Sequence, residues 1–399
     1  RRQRQMCIRD RFYNMQKKSM KKHKKFIFII PVVLFTVYMC LPYYARKALI
    51  YWFPTINDLS IFEHHTVHAP DSCWEWKISE KYNRIRLPEA DSIYLDEMKT
   101  VSFLVIKNDS IVYESYRGGW NDSITSNLFS ATKSIVGLLV GIAIDEGKIR
   151  SVDDKVMEYI PEYNKGKQKD ITIRNLLTMS AGMDWDEAYA SLFSVTTHGY
   201  YGNDLYNLIM NLDIVDTPGV QYSYRSGETQ LLSFVLEAAT GTTISKYAEE
   251  KLWQPMMAGQ DAYWLLDRKN GDEKSFCCFH TTARDAARFG RLLLNKGNWN
   301  GRQLVSKDYI TEAITPASYL KDQWGKEPLS YYGFQTWIMK HNGENCPYFR
   351  GMLGQYIIAI PSKNAIVVRL GHKRSKEYVK ELTTDIIRYM EIADRILNN

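Results

Sequence analysis

With 399 residues, 45% apolar and 24% charged, the chain has an ordinary globular composition, which excludes a wholly disordered or low-complexity protein and allows one to three domains. The net charge of +7 is an N-terminal feature: residues 1–25 carry 11 Lys and Arg against a single acid, Asp10, and the rest of the chain is slightly acidic. A nucleic-acid binder needs its basic groups on the folded surface, so this distribution excludes nucleic acid as a partner.

Residues 1–25 read as a basic cytoplasmic tail. Its opening, RRQRQMCIRDR, begins with Arg rather than Met and resembles translated upstream or adapter sequence, so residues 1–14 carry no functional weight; Met15 or Met20 would each begin a well-formed signal-anchor. Phe26 to Ala45 contains no charge over 20 residues, about the length that crosses a bilayer. Lys17, Lys18, Lys21, Lys22, Lys24 and Lys25 precede it, and Tyr38, Tyr43, Tyr44, Tyr51 and Trp52 follow as an interfacial aromatic belt. No small-x-small cleavage pattern follows the apolar run. The expectation is an uncleaved, single-pass anchor in the cytoplasmic membrane, with the remaining chain on the periplasmic side.

Residues 46–87 read as a connecting segment, in which His64, His65 and His68 form a solvated surface rather than a metal site. Ser102–Ile106 and Ser110–Tyr116 are β-rich runs separated by KND, the pattern of a hairpin. From Ser130 the run SATKSIVGLLVGIAIDEG is apolar almost all round, which predicts a buried central helix ended by Gly147. Shorter helices are predicted over Ile173–Met179, Leu205–Leu212, Gln230–Ala239, Ile244–Leu252 and Thr282–Leu294. Three β-like runs follow, Tyr332–Met339, Gln355–Ile360 and Ala365–Leu370. A closing amphipathic helix carries Val379, Leu382, Ile386, Met390 and Ala393 on one face. The order predicts an α+β fold: an antiparallel sheet formed by both chain ends, plus a mostly helical middle. Cys73, Cys277, Cys278 and Cys346 show no disulfide framework and no zinc spacing, and read as packed thiols.

The chemistry sits in Ser130-Ala131-Thr132-Lys133, an S-x-x-K tetrad. A Ser at the first turn of a helix has its own N–H near the positive end of the macrodipole, suited to an oxyanion, and a Lys three residues later lies on the same face. The tetrad recurs at Ser19…Lys22 and Ser318…Lys321, but only Ser130 opens a buried helix. Downstream, Tyr224-Arg225-Ser226-Gly227-Glu228-Thr229 follows Pro218-Gly219 and runs into an apolar helix; there a phenol beside a cationic Lys works as a general base. Further on, Phe349-Arg350-Gly351-Met352-Leu353-Gly354-Gln355 runs into a strand whose glycines let a substrate lie against the backbone.

On these motifs, with ITIRNLLTMSAGM and SFCCFHTTARDAARFGRLLLNKG, the chain resembles the serine β-lactamase and penicillin-binding-protein-like superfamily over residues 88–399, and looks most like its 6-aminohexanoate-oligomer hydrolase and esterase branch. The resemblance implies Ser130 as nucleophile, Lys133 as the tetrad lysine, Tyr224 as base, and Ser226 as the third position of a Tyr-x-Asn/Ser motif. It implies the N–H groups of Ser130 and Met352 as the oxyanion hole, and Phe349, Arg350 and Gly351 as the substrate-binding strand. Phe349 stands where many relatives carry Lys or His, which argues against carboxylate-bearing β-lactam substrates. His198, His280 and the stretch Met183-Asp184-Trp185-Asp186-Glu187 are candidates for the pocket rim, with packing or surface roles as the plainer reading. The implied function is a membrane-anchored serine hydrolase that cleaves a small ester, amide or peptide through an acyl-enzyme, without metal or organic cofactor. The alternative is a penicillin-binding or peptidoglycan-sensing module, acylated without efficient turnover or acting as a D-Ala-D-Ala carboxypeptidase.

Overall fold

The computed structural model describes residues 2–398, with side chains described outside 2–5, 7–10, 19 and 21–29. Its central sheet contains β1 (Lys77–Ile78), β2 (Thr100–Lys107), β3 (Ser110–Tyr116), β4 (Trp337–His341), β5 (Glu344–Gly351), β6 (Gln355–Ile360) and β7 (Ala365–Gly371). The order is β4-β5-β6-β7-β2-β3-β1, antiparallel throughout except where β1 pairs parallel with β3. The β7–β2 pairing, with Val367 opposite Val105, joins the two ends of the domain in one sheet. The β2–β3 hairpin turns on Asn108 and Asp109, whose φ values of 49° and 59° are the left-handed pair that a type I′ turn needs.

Side chains on these strands alternate between two cores with the period of two that a pleated strand imposes. Phe103, Val105, Tyr356, Ile358 and Val367 pack with α6 (Thr384–Leu397), whose Ile386, Met390 and Ala393 are buried. Leu104, Ile106, Ile357, Ile366 and Val368 face the larger core on the opposite side. That core holds α3 (Thr132–Asp145), α4 (Ser226–Thr240) and α5 (Ala283–Leu294). Thr282 caps α5, accepting from the Asp285 N–H at 3.2 Å. Every residue of α3 from Thr132 to Ala143 is buried, and Gly147, at φ 67°, closes the helix as expected.

Three predicted elements change shape. Within Tyr332–Met339 only the end from Trp337 is strand, because the chain turns at Gln335 (φ 50°) and Tyr332 bridges back to Trp337. Val379 and Leu382 lie outside α6; they form a small hairpin turning at Lys380 (φ 55°). Cys277 and Cys278 are joined by a disulfide rather than packed as thiols, with Cys278 held in the left-handed region at φ 80°. Cys73 and Cys346 are free thiols.

The N-terminal expectation is overturned. The charge-free run is divided between α1 (Arg2–Cys40), which contains Pro31 and is basic upstream, and α2 (Tyr43–Tyr51). Among the described residues no helix is long and apolar enough to cross a membrane. The single-pass anchor, and with it the placement across the cytoplasmic membrane facing the periplasm, is therefore corrected. Part of the supposed span and its aromatic belt belongs to the folded domain: Ala45 is buried, as is Ala48 just beyond the span, and Tyr44 stacks on His198 with centroids 4.3 Å apart. The stretch that follows also packs inward, with Ile56, Phe62, Val67 and Trp76 in the larger core. His64–Val67 pairs with Ala262–Leu265, and His65 Nδ1 lies 2.8 Å from Glu273.

Candidate active site

Ser130 lies in a single 3₁₀ turn, Phe129–Ala131, that leads directly into α3. Phe129 is in the left-handed region at φ 46°, a sharp and costly bend that persists because its surroundings over-determine it. The Asn127 side chain accepts from the Phe129 N–H at 2.8 Å. On either side of the turn, Leu128 N–H donates to Phe279 O at 2.9 Å and Phe279 N–H donates to Thr132 Oγ1 at 3.1 Å. Buried neighbours thus hold a half-buried Ser130 hydroxyl at the edge of a cavity.

Lys133 sits one helical turn on, on the same face. Its Nζ lies 3.0 Å from Ser130 Oγ and donates to the Phe276 carbonyl at 2.5 Å. Desolvation brings this buried amine down to a pKa of about 7, with the Glu187 carboxylate pulling the other way. The Tyr224 ring centroid is 5.2 Å from Lys133 Nζ, and the ring is wedged against Trp337 at 5.6 Å. Burial, and then the charge of Glu187, push the Tyr224 phenol well above its ordinary pKa, against the Ser130 hydroxyl and the charges of Arg350 and Arg374.

Glu187 completes the titratable group. It accepts from the Ser226 N–H at 2.6 Å, where α4 begins, and from the Tyr189 hydroxyl. Burial raises its pKa and the Lys133 charge lowers it. The loop that carries it is anchored by Glu228, whose buried carboxylate accepts from the N–H groups of Ala181, Gly182 and Met183 at 3.2, 3.0 and 3.5 Å. Burial lifts Glu228 to about 8, and those three N–H groups and Arg225 oppose the rise.

The cavity beside Ser130 has a volume of about 390 Å³. Trp52, Phe53, Phe129, Leu192 and Tyr201 supply apolar surface, and Ser130, Ser226 and Met352 also border it. None of the lining residues is charged.

Ser130, Lys133, Tyr224, Ser226 and Met352 therefore lie together around one site. Phe349 and Arg350 do not. Phe349 is fully buried against Phe289, 6.1 Å away, and does not line the cavity. Arg350 points to the other face of β5, as its neighbour's alternation requires. Its guanidinium stacks on Trp337 at 4.7 Å and donates to Glu381 O and Tyr378 Oη, each at 3.3 Å. Gly351 matters for a different reason: a Cβ there would lie 2.0 Å from Leu128 O, so only glycine lets the end of β5 touch the turn that carries Ser130.

His198 and His280 do not line the cavity either. His280 is buried, and burial lowers its pKa to about 3. Glu187 had a sequence signal in its acidic-aromatic stretch, and Glu228 in its place four residues after Tyr224. Phe276 had none, because only its backbone carbonyl acts.

The β-lactamase family model matches residues 94–389. The chain belongs to the β-lactamase family. Over 300 residues, 71% of this chain and 75% of the relative, it is 28% identical to the 6-aminohexanoate-dimer hydrolase of Paenarthrobacter ureafaciens. A solved structure described as "Putative 6-aminohexanoate-dimer hydrolase from Bacillus anthracis" superposes with a TM-score of 0.74 at 21% identity, covering 89% of this chain and 95% of the other. A family VIII carboxylesterase superposes at 0.62 and 17% identity, over 81% and 99% of the two chains. These likenesses establish the fold of this β-lactamase-family hydrolase. The α+β class follows from them and from the sheet itself.

Proposed function

We propose that this protein is a serine hydrolase that cleaves neutral esters or amides through an acyl-enzyme on Ser130. The observation that carries this reading is Lys133, a buried amine 3.0 Å from Ser130 Oγ and poised near neutral pH beside an apolar cavity. As Oγ attacks the carbonyl carbon, neutral Lys133 accepts its proton. The carbonyl π pair moves onto oxygen, and the N–H groups of Ser130 and Met352, helped by the N-terminus of α3, hold the oxyanion. Tyr224, kept protonated by burial, donates its proton to the leaving oxygen or nitrogen and is reprotonated by the Lys133 ammonium. Water then releases the acyl group through the same groups in reverse. In this reading Lys133 is the first base and Tyr224 the proton donor to the leaving group, the reverse of the expectation from sequence.

The uncharged cavity wall favours neutral substrates, and the names of the relatives, a 6-aminohexanoate-dimer hydrolase and a carboxylesterase, support a hydrolase of small acyl compounds. A carboxypeptidase or β-lactam-binding role needs a cation in the cavity beside the scissile bond, whereas no charged residue lines the cavity and Arg350 packs on Trp337 outside it. Ser130→Ala is expected to abolish hydrolysis of a neutral ester while its circular dichroism stays native. Ser318→Ala, at an exposed serine, leaves turnover unchanged. Turnover retained by a folded Ser130→Ala protein contradicts the reading.

A further inference from the structure

The Cys277–Cys278 disulfide lies between two contacts on which the site depends. Immediately before it, Phe276 O receives the Lys133 amine; immediately after it, Phe279 exchanges hydrogen bonds with Leu128 and Thr132 on either side of Ser130. Resting on the reading just proposed, the geometry points to this disulfide as the positioning element for Lys133, which sets the Phe276 carbonyl against the amine and closes one wall of the acyl cavity.

The flanks of the segment are pinned by ordinary hydrogen bonds. Phe276 N–H donates to Gln230 Oε1 on α4 at 3.4 Å, and Phe279 N–H to Thr132 Oγ1 on α3 at 3.1 Å. Between them the backbone must turn through Cys278 at φ 80°, a conformation that an L residue with a side chain rarely adopts. The disulfide closes a small covalent ring through the intervening peptide, and so removes the extended alternatives at this turn. Cys277 borders the same cavity as Ser130, and Trp185 covers Phe276 with centroids 5.6 Å apart. Lys133, bonded to the Phe276 carbonyl, is itself almost wholly buried. The other groups facing the amine are the Ser130 hydroxyl, the Glu187 carboxylate and the Tyr224 ring.

The test opens the ring in the intact enzyme with a water-soluble phosphine. The phosphine supplies two electrons and becomes its oxide by taking oxygen from water, whose two protons end on the Cys277 and Cys278 thiols. A mass gain of two hydrogens verifies the reduction. Turnover of a neutral ester is then measured against pH for the oxidised enzyme, the reduced enzyme and a Cys277→Ser/Cys278→Ser variant.

Opening the ring is expected to lower kcat on the order of tenfold, the scale of a small misplacement. It also moves the rising limb of the pH profile up by about one unit, because water reaching Lys133 favours its charged form. Reoxidation restores both for the wild type and neither for the variant. A reduced enzyme with unchanged kcat and an unmoved limb, its turnover still requiring Ser130, overturns the proposal and leaves the catalytic reading standing. Free Cys277 and Cys278 thiols in protein purified without reductant also overturn it. Turnover that survives Ser130→Ala strikes the catalytic reading instead.

Discussion

In the proposed mechanism the chemistry rests on one lysine whose charge has been made expensive. Lys133 is fully enclosed and is offered a hydroxyl and a carbonyl rather than a close ion pair, so the neutral amine is accessible near pH 7. Since only the neutral form accepts the Ser130 proton, kcat/KM for a neutral ester is expected to rise with pH through about 7 and level off above it. Tyr224→Phe should lower the plateau on the order of 10²-fold and leave the limb in place, whereas Lys133→Ala should remove the limb with the activity. A limb that follows Tyr224 rather than Lys133 would reverse their roles. At this scale the sequence was readable where spacing alone fixes geometry. Ser130 and Lys133 share a helical face at any tetrad that opens a buried helix. Phe349 and Arg350 were not readable, because which face of β5 meets the cavity depends on how the strand end seats against Leu128, a contact that no local pattern encodes.

Between elements, the decisive junction is the end of β5 against the turn before α3. Gly351→Ala places a Cβ 2.0 Å from Leu128 O, two residues from the nucleophile. It should destabilise the fold by about 1–3 kcal/mol, the cost of overpacking. It should also reduce turnover on the order of 10²-fold by displacing Ser130. Thermal unfolding and kcat measured on one preparation check this, and full activity would show that the turn is not held from that side. Elements themselves were legible where the signal was local: Ser110–Tyr116 and Gln355–Ile360 occur as read, and the buried helix after Ser130 is present. They were misread where a tight turn interrupts an apolar run, as at Gln335 and Lys380, since neither residue type announces a positive φ.

Over the whole molecule, the cavity is shared between the N-terminal segment and the helical middle. Leu49, Trp52 and Phe53 border it from one side, and Leu192, Thr197 and Tyr201 from another. The anchor was misread because a charge-free run reports apolarity and not its destination: Ala45, at the end of that run, is buried within the domain itself. With no charged residue in the wall, a substrate carboxylate would enter without a contact partner, Arg350 and Arg374 reaching the site only as more distant charges at Tyr224, at a cost of up to several kcal/mol. Short neutral esters are therefore expected to exceed penicillins and cephalosporins in kcat/KM by on the order of 10²-fold or more. Phe349→Lys should not narrow that gap, because the side chain at 349 faces the core. A cephalosporin preferred by the wild type would contradict the neutral-substrate assignment.

The central claim, a covalent acyl-enzyme on Ser130, is tested most directly by quenching the enzyme in acid during turnover of a slowly deacylated neutral ester and mapping the adduct by peptide mass spectrometry. The account predicts one acyl group per chain, on the peptide containing Ser130, accumulating and then decaying as substrate is exhausted, and absent from Ser130→Ala. Turnover with no adduct at Ser130, or an adduct carried by another residue, would contradict it.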